Sequence, residues 1–350
     1  MEKQYYDIYP FDDDCLPILE YITQMVVVKQ LIMPNSWQFD SQAIKNRNLD
    51  IEATYIKECD LEKFSNNLII VPSRHFIESI HLVDIIRNYL KEGKIVICMR
   101  KLPNYIVEEL EGQKTFYYFK PTYSRNYSDS RTTKIEKIDI PVVCVCGLLD
   151  NTDKFLVQER IVTQLKKKGK KVLWICSQNY ASFLDAYNIS DFFDNCSYEN
   201  VVVAFNHYVK ALQKQKMPDI IVVGIPGTVV PINKHLTGDY GVLFYIVSNA
   251  IPIDYLIVNM PYEPNLDINQ IEMLRKVFYY RFGKCIDQFC LSDKYTFLIR
   301  DGNQMLPAVK FVDGEKIKSI CQSLNSNGET AVQPVWSIDM YCNLFDSLAL

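Results

Sequence analysis

The chain is predicted to be an α/β protein with two doubly wound parallel sheets, and three observations support this. Its 350 residues exceed one ordinary domain. Short apolar runs alternate with helical patterns in both halves, as in βαβ units. A polar stretch at 121–140 separates the halves. We therefore predict a first domain at 1–120, a linker at 121–140 and a second domain at 141–350.

The first half contains five candidate strands and three candidate helices. The strands are expected at 5–10, 26–34, 67–73, 94–100 and 115–120, and the helices at 15–24, 76–92 and 103–112. Because crossovers between parallel strands are right-handed, this order favours an open, doubly wound sheet. The first domain is thus expected to be Rossmann-like.

The second half repeats the alternation after Pro141. Strands are expected at 141–147, 171–178, 220–224 and 254–260, with helices from Lys154 and at 180–187, 199–216, 240–250 and 267–282. Three short strands are predicted within 284–313, followed by helices at 314–324 and 338–349. Such a sheet binds ligands beyond the carboxyl ends of its strands, so the loops there matter most.

Composition excludes several classes of protein. Hydrophobic residues make up 48% of the chain and the net charge is −4, so there is no basic footprint for nucleic acid. The eleven cysteines include no C-x-x-C pair, and no apolar run approaches the ~20 residues that span a bilayer. The amino terminus is polar and acidic, unlike a signal peptide. We expect a cytoplasmic protein with unpaired thiols and no membrane, metal-cluster or nucleic-acid association.

The loop after the strand at 141–147 resembles a P-loop with altered residues. A P-loop reads G-x-x-x-x-G-K-[ST], and its glycines let backbone N–H groups converge on phosphate. Here Lys154 follows Gly147 by seven positions instead of six. Asp153 replaces the second glycine, and Phe155 replaces the hydroxyl residue that holds magnesium. The second domain is therefore predicted to be a degenerate P-loop NTPase-like domain.

Two interpretations of this loop stay open. One is an ordinary βα turn that begins a helix. The other is a partial anion site made of Gly147, Asn151, Thr152 and Lys154. Asp150 and Asp153 are expected to repel a triphosphate, and magnesium lacks its hydroxyl ligand. Hydrolysis of magnesium-ATP is thus expected to be absent or very slow.

A second loop, GIPGTVVP from Gly224 to Pro231, follows the apolar strand at 220–224. In nucleotide switches the corresponding strand ends in a carboxylate, and here Gly224 takes that place. Ser177 and Gln178 end another strand at the same predicted edge. The candidate nucleotide- or phosphate-binding residues are Gly147, Asn151, Thr152, Lys154, Ser177, Gln178, Gly224, Gly227 and Thr228. No catalytic residue and no metal ligand are assigned.

The same segments resemble a known family. The stretches 142–180 and 218–263, the YRFG motif at 280–283 and the YPF motif at 9–11 are similar to a peptide maturation system family. Its members are encoded beside radical-SAM maturases and small cysteine-rich precursor peptides in anaerobic bacteria. More distantly, 141–263 resembles the dethiobiotin synthetase-like branch of P-loop proteins. The family implies a pathway, the maturation of a ribosomally made peptide, and not a reaction.

Three functions are carried forward from the sequence. The favoured one is an accessory protein that binds a precursor peptide, a radical-SAM maturase or a small anionic ligand such as a nucleotide or phosphate. The first alternative is an ATP-dependent ligase or transferase that uses Lys154 with 224–228, and the second is an assembly scaffold without ligand. A peptide or maturase is expected to dock at the linker, which carries Tyr123, Arg125, Tyr127 and Arg131, residue types enriched at binding hot spots.

Overall fold

The computed structural model folds into two compact units. It describes residues 4–12, 15–34, 40, 42–47, 49–56, 66–72, 79–119, 134–178, 180–193, 198–231, 240–301, 304–326, 332–337, 344 and 348. The first unit comprises Met1–Thr122 with Asn179–Asp185, and the second comprises Tyr123–Gln178 with Ala186–Leu350. No described helix is long and apolar enough to cross a membrane.

The first unit is built on a six-stranded parallel sheet. Its elements are β1 (Tyr5–Tyr9), α1 (Leu16–Met25), β2 (Val27–Pro34), α2 (Gln42–Lys45), β3 (Glu52–Ile56), β4 (Asn67–Ile70), α3 (Ser79–Lys91), β5 (Val96–Cys98), α4 (Asn104–Leu110) and β6 (Phe116–Tyr118). The strand order β3-β2-β1-β4-β5-β6 is that of a Rossmann fold. The sequence missed β3, because this edge strand buries only one side chain and lacks an apolar run.

The second unit is built on a seven-stranded parallel sheet with the order β15-β12-β11-β7-β10-β8-β9. Its elements are β7 (Val142–Gly147), α5 (Lys154–Lys167), β8 (Val172–Cys176), β9 (Tyr187–Asn188), α6 (Tyr198–Lys216), β10 (Ile220–Gly224), α7 (Val242–Ala250), β11 (Tyr255–Met260), α8 (Ile268–Phe282), β12 (Gln288–Leu291), β13 (Lys294–Asp301), β14 (Gln304–Phe311), α9 (Gly314–Asn325) and β15 (Val332–Pro334). The predicted pair of doubly wound parallel sheets is confirmed.

Some predicted elements of the second half differ from the structure. The three strands expected within 284–313 are present: β12 joins the parallel sheet, and β13 and β14 form an antiparallel hairpin whose pairing the sequence did not specify. The helix expected at 180–187 is a short 3-10 turn at Ala181–Leu184, and this stretch belongs to the first unit. The final helix expected at 338–349 lies almost entirely outside the described residues.

The strands β7, β10 and β11 are buried at every position because they are continuous apolar runs covered on both faces. On one face α5 packs against β7, β8 and β10, and its Phe155 ring stacks on Trp174 with 5.2 Å between centroids. The other face packs against the remaining helices, through Phe205 of α6, Phe244 of α7 and Phe278 of α8. The helices that follow β7 and β10 therefore lie on opposite faces.

Residues 134–140, the end of the predicted linker, lie along α6. The Glu136 N–H donates to Asn206 Oδ1 at 2.8 Å, and Asn206 Nδ2 donates back to the Glu136 carbonyl at 2.9 Å. Lys210 Nζ contacts Asp139 Oδ2 at 2.8 Å. Residues 120–133, with the four proposed docking side chains, lie outside the described residues. The domain boundaries given above stay a prediction.

Candidate functional site

The loops after β7 and β10 meet at the carboxyl edge of the second sheet. These strands are neighbours in the sheet, and their following helices lie on opposite faces, which makes this the topological switch point. The register pairs Gly224 with Val145, and the Val229 N–H donates to the Gly147 carbonyl at 3.2 Å. Ligands of open α/β sheets bind in the crevice at such a point. The structure thus brings together two of the predicted segments.

Lys154 joins the two loops. Its Nζ donates to the Gly227 carbonyl at 2.5 Å and lies 3.5 Å from Asp150 Oδ1. The Lys154 side chain is 14% exposed, whereas that of Asp150 is 67% exposed. An ammonium group is thus held at the first position of a 14-residue helix, where the helix dipole also attracts anions.

Each loop has a glycine at a position that other residues would not tolerate. A Cβ at Gly147 would lie 2.3 Å from Thr152 Oγ1 and 2.9 Å from Lys154 Cδ, so any side chain would collide. Gly227 has a φ of 75°, in the left-handed region that favours glycine. Steric crowding therefore requires glycine at 147, and the backbone conformation favours it at 227. Gly147 lies against the Lys154 side chain, and the Gly227 carbonyl accepts a hydrogen bond from its ammonium.

Hydrogen bonds and two left-handed residues fix the conformation of the loop after β7. Asn151 and Asp153 both have a φ of 57°, a conformation that L residues adopt at a cost of about 1 kcal/mol or more. Thr152 Oγ1 donates to the Leu149 carbonyl at 3.0 Å, and Asn259 Nδ2 donates to the Thr152 carbonyl at 2.7 Å. The Thr152 hydroxyl is consequently engaged inside the loop and is buried.

Asp153 is neutralised inside the fold. Its Oδ1 lies 2.9 Å from Lys294 Nζ, and its Oδ2 accepts a hydrogen bond from the Ser292 hydroxyl. The Asp153 side chain is fully buried, and that of Lys294 is 5% exposed. The prediction that Asp153 repels a triphosphate therefore does not hold, because its charge is paired and buried. Asp150 does place an exposed carboxylate beside Lys154.

The place of the missing carboxylate at Gly224 is occupied by Gln158 of α5. A Cβ at Gly224 would lie 1.9 Å from Gln158 Nε2. The Gln158 amide is itself held, because Nε2 donates to the Lys154 carbonyl at 3.2 Å and Oε1 accepts from Trp174 Nε1 at 3.2 Å. Gly224 is thus a packing glycine, and its predicted role in contacting a ligand finds no geometric support.

The remaining predicted residues are placed less centrally. Ser177 and Gln178 follow β8, which is separated from β7 by β10, so they lie at the same edge but one strand further away. Thr228 directly follows Gly227 and is buried. Asn151 is partly exposed within the loop. Gly147, Lys154 and Gly227 form the centre of the candidate site.

Sequence reasoning missed the residues that support this centre, namely Gln158, Asn259, Ser292 and Lys294. A signal existed for Asn259, a polar residue near the end of the apolar run YLIVNM. Its side chain is fully buried, and its Oδ1 has no hydrogen-bond partner among the described residues. No comparable pattern marks Lys294, whose partner Asp153 is distant in sequence.

Thiol chemistry and metal binding find no support at this edge. Burial raises the pKa of the Cys146 thiol, although Lys154 acts in the opposite direction, and burial raises the pKa of Cys176 to about 12. Such thiols stay protonated and unreactive at neutral pH. Within the described residues no group of three or more His, Cys, Asp or Glu side chains is placed to hold a metal ion.

Comparison with known proteins identifies a structural relative of the whole chain. A crystal structure of a DUF1611 family protein from Anabaena variabilis ATCC 29413 has a TM-score of 0.61 over 99% of this chain and 99% of its own. The two sequences are 13% identical, so the likeness shows a shared fold. No protein-family model matches the chain, and no curated protein matches it either. The resemblance to peptide maturation proteins stays a prediction.

Proposed function

We propose that the protein binds a phosphate-bearing ligand at the carboxyl edge of its second sheet and does not hydrolyse it. The observation that carries this proposal is the Lys154 ammonium, which bridges the loops after β7 and β10 at the switch point. Gly147 packs against the Lys154 side chain, and the Gly227 carbonyl accepts a hydrogen bond from the Lys154 ammonium. Lysine acts as a point charge for phosphate in such sites.

The electrostatics of the loop support an anionic ligand. The positive end of the α5 dipole and the Lys154 charge act at the same place. Asp153 contributes no net charge there, because Lys294 neutralises it. Asp150 is largely exposed and is free to turn toward solvent, so its 3.5 Å contact with Lys154 is screened and weak. A phosphate would replace Asp150 and Gly227 as the partner of the ammonium.

The lack of turnover follows from the groups that phosphoryl transfer needs. Catalysis of this reaction depends on a metal ion bridging the phosphates and on a residue that orients the nucleophile. Phe155 and Gly224 occupy the two positions that supply these groups in nucleotide switches. A binding role is therefore favoured. The alternative, an ATP-dependent ligase or transferase, is supported by the contact of Lys154 with Gly227.

For the cellular role we propose an accessory protein in the maturation of a ribosomally made peptide, with a precursor peptide or a radical-SAM maturase as partner. This part rests on the sequence resemblance alone. Capture of the cognate precursor and maturase by the purified protein tests it. Replacement of 123–131 by a Gly/Ser linker should abolish capture if the partner docks there, and unchanged capture would exclude that surface.

Titration with ADP and ATP tests the binding proposal. Wild-type protein should bind at least one of them, and Lys154→Met should weaken binding at least about tenfold, or 1.4 kcal/mol. Lys166→Met is the matched control, because Lys166 lies exposed in the last turn of the same helix. Equal losses in both variants would contradict the site. ATP turnover near the ~10 per second typical of enzymes would instead support the ligase or transferase.

A further inference from the structure

We infer that the phosphate ligand of this site binds as a free anion, without a divalent cation. The inference rests on the proposed function and concerns the kind of ligand that the same site accepts. Its basis is that the two positions that supply magnesium ligands in a P-loop protein carry Phe155 and Gly224, which offer no oxygen ligand from a side chain. The ligand class is accordingly a phosphate group that is carried without metal, as in a nucleoside diphosphate or a dinucleotide.

The first residue position that supplies a magnesium ligand in P-loop proteins carries an aromatic ring here. The residue after the P-loop lysine normally offers a hydroxyl to the metal. Here that residue is Phe155, which is 4% exposed and stacks on Trp174 with an interplanar angle of 18°. Its ring points into the core between α5 and the sheet and presents no oxygen ligand. Magnesium requires oxygen ligands in near-octahedral geometry, so this half of a metal site is lost.

At the second ligand-supplying position, a buried amide occupies the space that the carboxylate would need. The carboxylate that ends the neighbouring strand in nucleotide switches is replaced by Gly224, and Gln158 occupies the space that such a side chain would need. Gln158 is 3% exposed, and hydrogen bonds to Trp174 and to the Lys154 carbonyl hold both ends of its amide. If the amide moved away, the buried Trp174 indole N–H would lose its hydrogen-bond acceptor, which costs about 1–3 kcal/mol.

Among the described residues, the nearby carboxylates do not restore a metal site. Asp153 is buried in its ion pair with Lys294. Glu159, also on α5, is 2% exposed and accepts a hydrogen bond from Thr163 Oγ1 at 2.9 Å. Asp150 is exposed and lies beside Lys154, whose ammonium would repel a cation. A phosphate chelated by magnesium also carries less negative charge, so it should bind Lys154 more weakly than the free anion does.

Titrations with ADP and with inorganic pyrophosphate, each in excess EDTA and in excess magnesium, test this inference. We expect affinity in EDTA to equal or exceed the affinity in magnesium for wild-type protein. We also expect Lys154→Met, and not Lys166→Met, to weaken the binding in EDTA at least about tenfold. Neither measurement depends on a variant of the buried core.

The outcomes distinguish failure of this inference from failure of the proposed function. Binding that is at least about tenfold tighter with magnesium, and still lost in Lys154→Met, would overturn the inference and leave the proposed function standing. No binding of either probe in either buffer would overturn both. Binding in EDTA that does not respond to Lys154→Met would place the anion elsewhere and would also count against both. Binding of pyrophosphate without ADP would confirm the free anion as the recognised group.

Discussion

The two sheets have the same kind of switch point and differ in what fills it. In the first sheet it lies between β1 and β4, where Tyr9 and Phe11 are fully buried. The Cys15 thiol donates to the Pro72 carbonyl at 2.9 Å, so it ties the segment after β1 to the segment after β4. In the second sheet, Gly147 and Gly227 border a lysine at the corresponding place.

Glycine content explains the difference. The glycine fingerprint of a dinucleotide-binding Rossmann fold follows its first strand, and the first glycine in this chain is Gly93, after β4. The segment after β1 therefore has no glycine where a pyrophosphate would approach the first sheet. The strand order fixes where a ligand can bind, and the residues of the loops decide whether it does.

The largest effect is expected from breaking the ion pair behind the second edge. Asp153→Ala or Lys294→Met leaves a buried charge alone and should lower the free energy of unfolding by about 3–5 kcal/mol. Lys318→Ala is the control, because its pair with Glu315 at 2.6 Å is exposed and should change stability by less than about 1 kcal/mol. Urea unfolding measures both, and equal effects would contradict the account.

A smaller effect is expected from filling the space at Gly224. Gly224→Ala should lower the free energy of unfolding by about 1–3 kcal/mol, because its Cβ overlaps Gln158. The double variant Gly224→Ala with Gln158→Ala removes the overlap and should recover part of this loss. Thermal unfolding of the single and double variants decides, and a Gly224→Ala protein as stable as wild type would show that the amide moves freely.

Binding should distinguish the two edges directly. Gly147→Ala places a Cβ 2.3 Å from Thr152 Oγ1, so the loop must shift and ADP affinity should fall at least about tenfold, or 1.4 kcal/mol. Cys15→Ser, at the edge of the first sheet, should leave the affinity unchanged. Calorimetric titration measures both variants. The reverse pattern would move the ligand to the first sheet.

The smallest effect concerns Asp7, a buried acid in β1 that has no cationic partner within ion-pair distance among the described residues. Burial raises the pKa of Asp7 above 3.8, although the hydrogen bond from Asn66 and the charge of Lys94 lower it. Because the folded state binds the Asp7 proton more tightly than the unfolded state does, protonation of Asp7 stabilises the fold. This contribution is fully present below the pKa of Asp7 in the unfolded chain. It is lost as the pH rises through the folded pKa.

Asp7→Asn keeps the shape and removes the charge. It should raise the free energy of unfolding by about 1 kcal/mol at neutral pH. Wild type and variant should converge toward about pH 3, where Asp7 is protonated in both states. Chemical unfolding of the two proteins across this pH range checks the sign. A variant that is less stable than wild type at neutral pH would show that the carboxylate has a stabilising partner.

The sequence was sufficient where one local pattern determines the structure. The apolar runs of β7, β10 and β11 predict buried parallel strands, and the spacing from Gly147 to Lys154 locates the central loop. It was insufficient where the partner is remote in sequence. The Asp153–Lys294 pair joins the loop after β7 to the start of β13, and no local pattern links them.

The altered P-loop shows the same limit. The sequence shows that Phe155 and Gly224 lack metal ligands, but not that the ring packs on Trp174 or that Gln158 fills the gap. The edge strand β3 was likewise missed, and the strands β13 and β14 were predicted without their pairing, since tertiary packing decides which sheet a short strand joins.

A crystal structure of the protein with ADP, grown in EDTA, tests the central claim most directly. The account predicts diphosphate density at the second sheet, with a phosphate oxygen within hydrogen-bond distance of Lys154 Nζ and close to the backbone at Gly147 and Gly227. Density at the edge of the first sheet beside Phe11 and Cys15, or bound ADP that makes no contact with Lys154, would contradict it.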